Sequence, residues 1–408
     1  MPDTALTART LDEARLREFT SMTWDAFYAD IKEDDLKLQM AMMDPARTHG
    51  VFDGDTIIGG GSMYARSMTL PGTGPAPIAA VTMVGVAPDQ RRRGALTTLM
   101  RAELTGLHES GGEPVAVLWA SEGGIYGRFG YGLASRTATI SAPRGAVLRK
   151  DVDPGTERVA LVDADAAGPT MRKLQAEYAS TRIGGLSRPE QGWDWLLADP
   201  EHDRNGYSAL RFAVVSGGYA RFRVKENWDS RHGPEHEVRV GELVALTPQA
   251  HAALWQFLIR LDLVGRVRYH NAATDDPLPF MLDNPRMAAI DLNDALYVRL
   301  VDVDRALEAR GYATPLDVVF ELTDEFCPWN AGRWRLSVDA TGSAGVQRTD
   351  ADADLACSTS ALGAAYLGST KLTTLAAAGR VRELRPEALR AAAAAFAGEH
   401  EPHCLEVF

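Results

Sequence analysis

Apolar residues at Leu11, Leu16, Phe19, Met22, Phe27 and Ile31 recur at near-helical spacing and predict helices across 10–45. Two strand-like runs follow, at 50–52 and 56–65, joined by the turn Asp53-Gly54-Asp55. A Gly/Pro loop at 71–77 separates them from an apolar strand at 78–86. The turn Ala87-Pro88-Asp89 then leads into a helix at 94–109, which Gly111 and Gly112 stop. A second apolar strand at 115–120 and a short helix from about Gly123 complete a β-α-β unit, whose connection suits parallel or near-parallel neighbours.

The mixture repeats beyond 143–152. Helices at 170–181, 191–197 and 248–261, with strands at 208–215, 219–226 and 237–245, predict a second α/β layer. From about Leu292 the order changes again, to a strand at 296–300, a helix at 303–309, strands at 316–322 and 333–338, and Ala-rich helices. Of these, 391–395 has high helix propensity. The expectation is a mixed α/β (α+β) chain in three segments, 1–147, 148–291 and 292–408. The Gly59-Gly60-Gly61 run interrupts a strand pattern and predicts a bulge or a close backbone approach. The last six residues, His403 to Phe408, are apolar and strand-like where most termini fray, so they are expected to be tied into the fold.

Composition narrows the picture. With 408 residues, 45% apolar and 24% charged, the chain has the make-up of a soluble globular protein. Its length predicts about two to four domains. No apolar run approaches the roughly 20 residues of a membrane span. The start of the chain is polar and acidic, without a secretory stretch, so a cytoplasmic location is the expectation. Cys327, Cys357 and Cys404 are odd in number and far apart, which predicts reduced core thiols. The 9 histidines do not cluster at metal spacing, and no metal is expected. A net charge of −12 disfavours nucleic acid and anionic membranes and suits a cationic small molecule.

The sharpest chemical signal is V-G-V-A-P-D-Q-R-R-R-G-A-L at 84–96. A strand, a Pro turn and three arginines precede a glycine at a helix start. The first amides of a helix lack internal partners and carry the positive end of its dipole, so a pyrophosphate docks there if the backbone is bare. Gly94 supplies that bareness, and Arg92 and Arg93 add charge. The run resembles the acetyl-CoA loop of the GNAT acetyltransferase superfamily, V-x-V-x-P-x-x-R-x-x-G-x-G/A, with Leu96 departing at the last position. The resemblance implies that Val84, Gly85 and Val86 hold the pantetheine arm. It gives the phosphates to Arg92, Arg93, Gly94, Ala95, Leu96 and Thr97.

A second run, A-S-E-G-G-I-Y-G-R-F-G-Y-G at 120–132, resembles the superfamily element that carries a catalytic tyrosine. It implies Tyr126 as the acid for the departing thiolate, with Ser121 and Glu122 beside the cofactor. D-P-L-P-F-M-L-D, A-L-E-A-R-G-Y-A, Y-L-G, L-A-A-A-G-R-V-R and the final Phe408 extend the likeness along the whole chain. Together they make it similar to the Eis family of bacterial aminoglycoside N-acetyltransferases. That resemblance implies a GNAT domain, a GNAT-like domain without cofactor, a sterol-carrier-like domain and a homo-hexamer. It further implies multi-site acetylation of a cationic amine, with the Phe408 α-carboxylate as base. A polyamine or protein-lysine acceptor, and a non-catalytic lipid-binding scaffold, stand as alternatives.

Asp25, Asp30, Glu33, Asp34 and Asp35 could line a pocket for a polycation, with Asp25 beside Trp24 the best single candidate. Such a charge run is more often a solvated face. The run Asp350-Ala351-Asp352-Ala353-Asp354 starts like a calcium loop, but Leu355 and Ala361 stand where Gly and Glu are needed.

Overall fold

A computed structural model describes residues 5–231 and 233–408 as three main sheets flanked by helices. The first sheet orders its strands as Thr7–Thr10, Thr48–Asp53, Thr56–Leu70, Gly74–Val86, Val115–Trp119, Leu296–Leu300 and Gly132–Leu133. Gly74–Val86 and Val115–Trp119 run parallel, bridged by the helix Ala95–Ser110, which is the β-α-β unit that the hydrophobic pattern predicts. That helix buries Ala95, Leu99, Met100, Glu103, Leu104 and Leu107, one stripe at helical spacing with a carboxyl in its middle.

The second sheet repeats the scheme. Its order is Ala289–Asp294, Arg136–Pro143, Val264–Ala272, His236–Ala245, Gly218–Lys225, Arg211–Val215 and Ala160–Val162. His236–Ala245 and Val264–Ala272 are the parallel pair, and the helix Pro248–Ile259 bridges them. The third sheet runs Ala344–Arg348, Gly332–Val338, Leu316–Thr323, Leu355–Ser358, Val381–Glu383.

The first two sheets exchange strands, which cuts across the segments expected from sequence. Arg136–Pro143, expected before the boundary at 147, pairs with Val264–Ala272 in the second sheet. Leu296–Leu300, expected in the last segment, pairs with Val115–Trp119 in the first. Alternation of apolar residues tells which face of a strand is buried but not which strand it meets. The third sheet shares one core with the first: Phe19, Met68, Val117, Val298, Phe320 and Phe396 belong to a single buried cluster. Arg299 fastens the two by a 2.6 Å ion pair to Asp324, both side chains almost wholly buried.

The glycine run serves both expected purposes. A Cβ on Gly60 would sit 2.4 Å from the His49 carbonyl oxygen, and the register slips between Gly60 and Ser62. The segment after Ala388–Ala395 corrects one expectation, because residues 403–408 form no strand. Isolated backbone and side-chain hydrogen bonds hold it instead. The His403 amide donates to Ile183 O at 2.8 Å. Asn271 Nδ2 donates to the carbonyls of Cys404 and Leu405 at 3.0 and 3.1 Å. All three cysteines are free and buried. No described helix is long and apolar enough to cross a membrane.

Candidate active site

The central parallel pair of the first sheet stays together only briefly. Gly74–Val86 pairs with Val115–Trp119 at Ala79↔Ala116 and Ala80↔Val117, and then the two strands part. The cause lies on the other side of Gly74–Val86. There Gly60 faces Gly85 and Ser62 faces Thr82, so Met83 and Val84 oppose the single residue Gly61. Met83 takes φ 52°, the left-handed turn of a bulge, which bends the strand away from its parallel neighbour. The gap exposes the strand's peptide groups to whatever enters it.

At the end of that strand the loop is shaped for an anion. Arg92 has φ 65° and Gly94 φ 91°, and the helix Ala95–Ser110 starts at Gly94 with no side chain capping its amides. Turns of this handedness, next to a bare helix start, make a concave nest of N–H groups. The corresponding helix of the second sheet is different: Thr247 Oγ1 accepts from the Ala250 amide at 3.1 Å and so caps that helix itself. One helix start is open to a ligand, and the other is partly satisfied by its own chain.

A cavity of about 640 Å³ follows the open loop, lined by Val84, Gly85, Val86, Arg91, Arg92, Gly94–Thr97, Ser121, Glu122, Ile125, Tyr126 and Arg128. A second, of about 530 Å³, lies between the first two sheets. Its walls include Trp24, Trp119, Arg188, Trp195, Arg221 and the stretch Leu405–Phe408. Phe27, Val84, Ser121 and Tyr126 belong to both walls, so the two cavities adjoin.

Tyr126 stands at that junction on a single 3-10 turn, Tyr126–Phe129, ended by Gly130 at φ 85°. Its ring is buried and packs edge-on against Tyr131 at 5.9 Å. Burial pushes the phenol up to about 12, and the Glu103 and Glu122 carboxyls push the same way. The hydroxyl therefore keeps its proton throughout the neutral range.

The stretch that brings Phe408 to the second cavity is fastened on both sides. Trp119 Nε1 donates to the Glu406 carbonyl at 3.0 Å. Glu406 Oε2 accepts from Arg188 Nε at 3.0 Å, and Oε1 lies 3.5 Å from Arg66 Nη2. Arg188 is itself fixed by both oxygens of Glu242, at 3.3 and 2.7 Å. His403 adds a further anchor. Its Nε2 lies 2.9 Å from the Asn271 carbonyl, which can only accept, so Nδ1 accepts from the Tyr178 hydroxyl at 2.7 Å. Burial holds that imidazole down at about 4, so it is neutral at physiological pH.

Most residues singled out from sequence lie on one of these walls, and Arg93 and the acidic stretch do not. Arg93 turns away from the loop cavity to an ion pair with Asp53 at 2.8 Å. Asp25 is exposed and absent from the inter-sheet cavity, whereas its neighbour Trp24 lines it. The rest of the acidic stretch is likewise elsewhere: Glu33 pairs with Arg17 at 2.6 Å, Asp34 with Lys37 at 3.4 Å and Asp35 with His202 at 2.6 Å. Arg91, Arg128, Arg188, Arg221 and Glu406 were not singled out from sequence. For Arg91 the signal was present, since it begins the same R-R-R-G run. For Arg188 and Arg221 nothing local marks them, because they reach the site only when two sheets meet.

Comparison with known proteins agrees with this architecture. Residues 7–134 and 184–300 each match a family model described as an acetyltransferase (GNAT) domain, and 303–405 match a sterol carrier protein domain. The chain is 44% identical over 377 residues to an uncharacterized N-acetyltransferase of Streptomyces avermitilis, covering 90% of this chain and 91% of that one. It is 36% identical over 362 residues to the N-acetyltransferase Eis of Mycobacterium tuberculosis, covering 86% and 85%. Among solved structures, Eis1 from Mycobacterium abscessus superposes with a TM-score of 0.86 at 33% identity, over 99% of this chain and 100% of that one.

Proposed function

The chain belongs to the Eis family of GNAT N-acetyltransferases, and from that premise we propose that it moves acetyl directly from acetyl-CoA to the primary amine of a small molecule. In this reading Tyr126 is the acid and the Phe408 α-carboxylate the base. The carrying observation is that Tyr126 borders both the cavity with the uncapped helix start and the cavity reached by Phe408.

The residues present fit the cofactor. The amides at Gly94–Thr97, with Arg91 and Arg92, suit a pyrophosphate, and the parted strand edge from Thr82 to Val86 suits an extended amide arm. Acetyl-CoA supplies the activated acetyl thioester. Tyr126 holds a proton at its hydroxyl, where a leaving thiolate needs one. A thiol's usual pKa of about 8.5 lies well below this phenol's. The hydroxyl therefore acts chiefly by donating a hydrogen bond that strengthens as negative charge builds on sulfur. A carboxylate with a reference pKa of about 3.3–3.7 cannot strip an ammonium, but it accepts the proton that a neutral amine sheds as it attacks, directly or through water.

Aminoglycosides, the acceptors implied by the resemblance, come first among the amines to assay, with mass spectrometry counting acetyl groups per molecule. The implied homo-hexamer is tested by sedimentation. The decisive experiment for the mechanism appends two residues after Phe408 and measures turnover. A large fall in kcat with unchanged CoA affinity supports the base. Full activity in the extended chain removes it from the mechanism.

A further inference from the structure

The inter-sheet cavity contains a cation without a partner. Arg221 lies on the strand Gly218–Lys225, opposite Glu242 on His236–Ala245. The next pair in register is Phe222↔Val240, so Gly241 is the extra residue of a bulge. Arg221 uses the space that the bulge clears. A Cβ on Gly241 would stand 2.9 Å from Arg221 Nη2, so a larger residue there would move the guanidinium from this position. Bulges often serve to re-aim one side chain, and here the side chain borders the cavity that Tyr126 and Phe408 also line.

Nothing nearby satisfies it. Glu242 spends both oxygens on Arg188, and Oε1 also accepts from the Tyr219 hydroxyl. Glu406 is divided between Arg188 and Arg66. Among the described residues the Arg221 side chain makes no hydrogen bond or ion pair, and its Nε is enclosed with no partner. Burial presses its pKa below the ordinary arginine value, with the Glu242 carboxylate opposing that shift. A guanidinium offers five N–H donors in a planar fork, so an unmatched one beside a cavity calls for a two-oxygen anion. Meanwhile, among the described residues, no unpaired Asp or Glu side chain lines the cavity to receive a polycation, and the one further carboxylate on its wall is that of Phe408, which the proposed function assigns to the reacting amine.

We propose that Arg221 is an anion subsite of the acceptor cavity, and that the preferred acceptor is an amine that also carries a carboxylate or phosphate group. This rests on the acetyl-transfer reading and narrows its acceptor. The amine faces the Tyr126 junction while the oxyanion takes the Arg221 fork. An acceptor with only amino and hydroxyl groups leaves that fork unmatched.

The test uses the full chain with acetyl-CoA and matched acceptors: ω-amino carboxylates of increasing length, ω-aminoalkyl phosphates, diamines of the same lengths and an aminoglycoside. Charge-assisted hydrogen bonds predict that the best anionic acceptor exceeds its diamine about 10- to 100-fold in kcat/KM. Arg221→Gln should erase that advantage, chiefly through KM, lowering kcat/KM far more for the anionic acceptor than for the matched diamine. Arg221→Lys, which keeps the charge and loses the fork, should recover part of it. The length series and the carboxylate and phosphate arms identify the group that fits. A thermal shift with CoA certifies that each variant is folded. Equal loss on anionic and diamine acceptors in Arg221→Gln would overturn the subsite, because the arginine would then serve the enzyme rather than the acceptor. Diamines or the aminoglycoside preferred by the unmodified chain would overturn it too. If no amine is acetylated and CoA does not bind, the acetyl-transfer reading itself falls.

Discussion

The indole Nε1 of Trp119 donates a 3.0 Å hydrogen bond to the carbonyl oxygen of Glu406. Trp119 closes the strand that parts from the Gly74–Val86 strand, and Glu406 precedes Phe408 by two residues. The same indole thus marks the edge of the open gap and holds the segment that delivers the proposed base.

Replacing Trp119 by Phe keeps an aromatic wall and removes that bond. A net hydrogen bond is worth about 0.5–1.5 kcal/mol, so kcat is expected to fall roughly 2- to 10-fold while CoA affinity stays as it was. Steady-state kinetics beside CoA calorimetry make the comparison. A change confined to CoA affinity would show that the bond serves the cofactor side instead.

Tyr126→Phe removes the proposed acid and little else, since the ring stays packed on Tyr131. A kcat about 100-fold lower is expected, at the low end of general acid effects. The phenol is active in its protonated form and its pKa lies near 12. The wild-type kcat profile should therefore show no alkaline loss from this group below about pH 11. An alkaline limb near pH 9 that vanishes in Tyr126→Phe would show that the phenol titrates below its raised pKa, whereas an undiminished kcat in Tyr126→Phe would remove it as the acid.

Gly94 sits at φ 91° with open space where a Cβ would point. Any effect of Gly94→Ala therefore comes from backbone conformation rather than a clash. The left-handed region costs a non-glycine residue about 1–2 kcal/mol, which predicts CoA binding roughly 5- to 30-fold weaker by calorimetry. Undiminished affinity would mean that the open helix start is not the phosphate site.

Glu103 is buried on the helix Ala95–Ser110, and both carboxyl oxygens lack a hydrogen-bond partner. Burial raises its pKa from 4.5 to about 8, with Arg47 pulling the other way. As pH rises between those values the unfolded chain releases a proton that the folded chain keeps, so this group lowers stability progressively. Glu103→Gln should melt at nearly the same temperature as wild type at pH 5 and a few degrees higher at pH 8. Parallel melting curves at both pH values would show that the carboxyl ionises normally in the fold.

Much of the first segment was legible because its signals are local. The helix at 94–109 appears as Ala95–Ser110, and the strand at 115–120 as Val115–Trp119, since apolar spacing and glycine stops act over a few residues. The loop proposed for the phosphates was readable for the same reason. Arg93 was not, because its 2.8 Å pairing with Asp53 depends on a hairpin forty residues away in sequence. Arg136–Pro143 and Leu296–Leu300 pair outside the segments expected for them, because strand pairing is decided between distant segments.

On its own, the sequence determined where the helix Ala95–Ser110 starts and stops, which glycine stands at its start, and which tyrosine follows the second strand. These are matters of spacing and backbone freedom within one stretch of chain. The tertiary structure alone decided that Arg188 from the loop before the helix Glu190–Leu197, Arg221 from the second sheet, and Glu406 and Phe408 from the last residues share a cavity with Tyr126. It also decided that Glu242 gives its hydrogen bonds to Arg188 and Tyr219, which leaves the Arg221 side chain without one among the described residues. Charge matching depends on three-dimensional neighbours, and no run of residues records them.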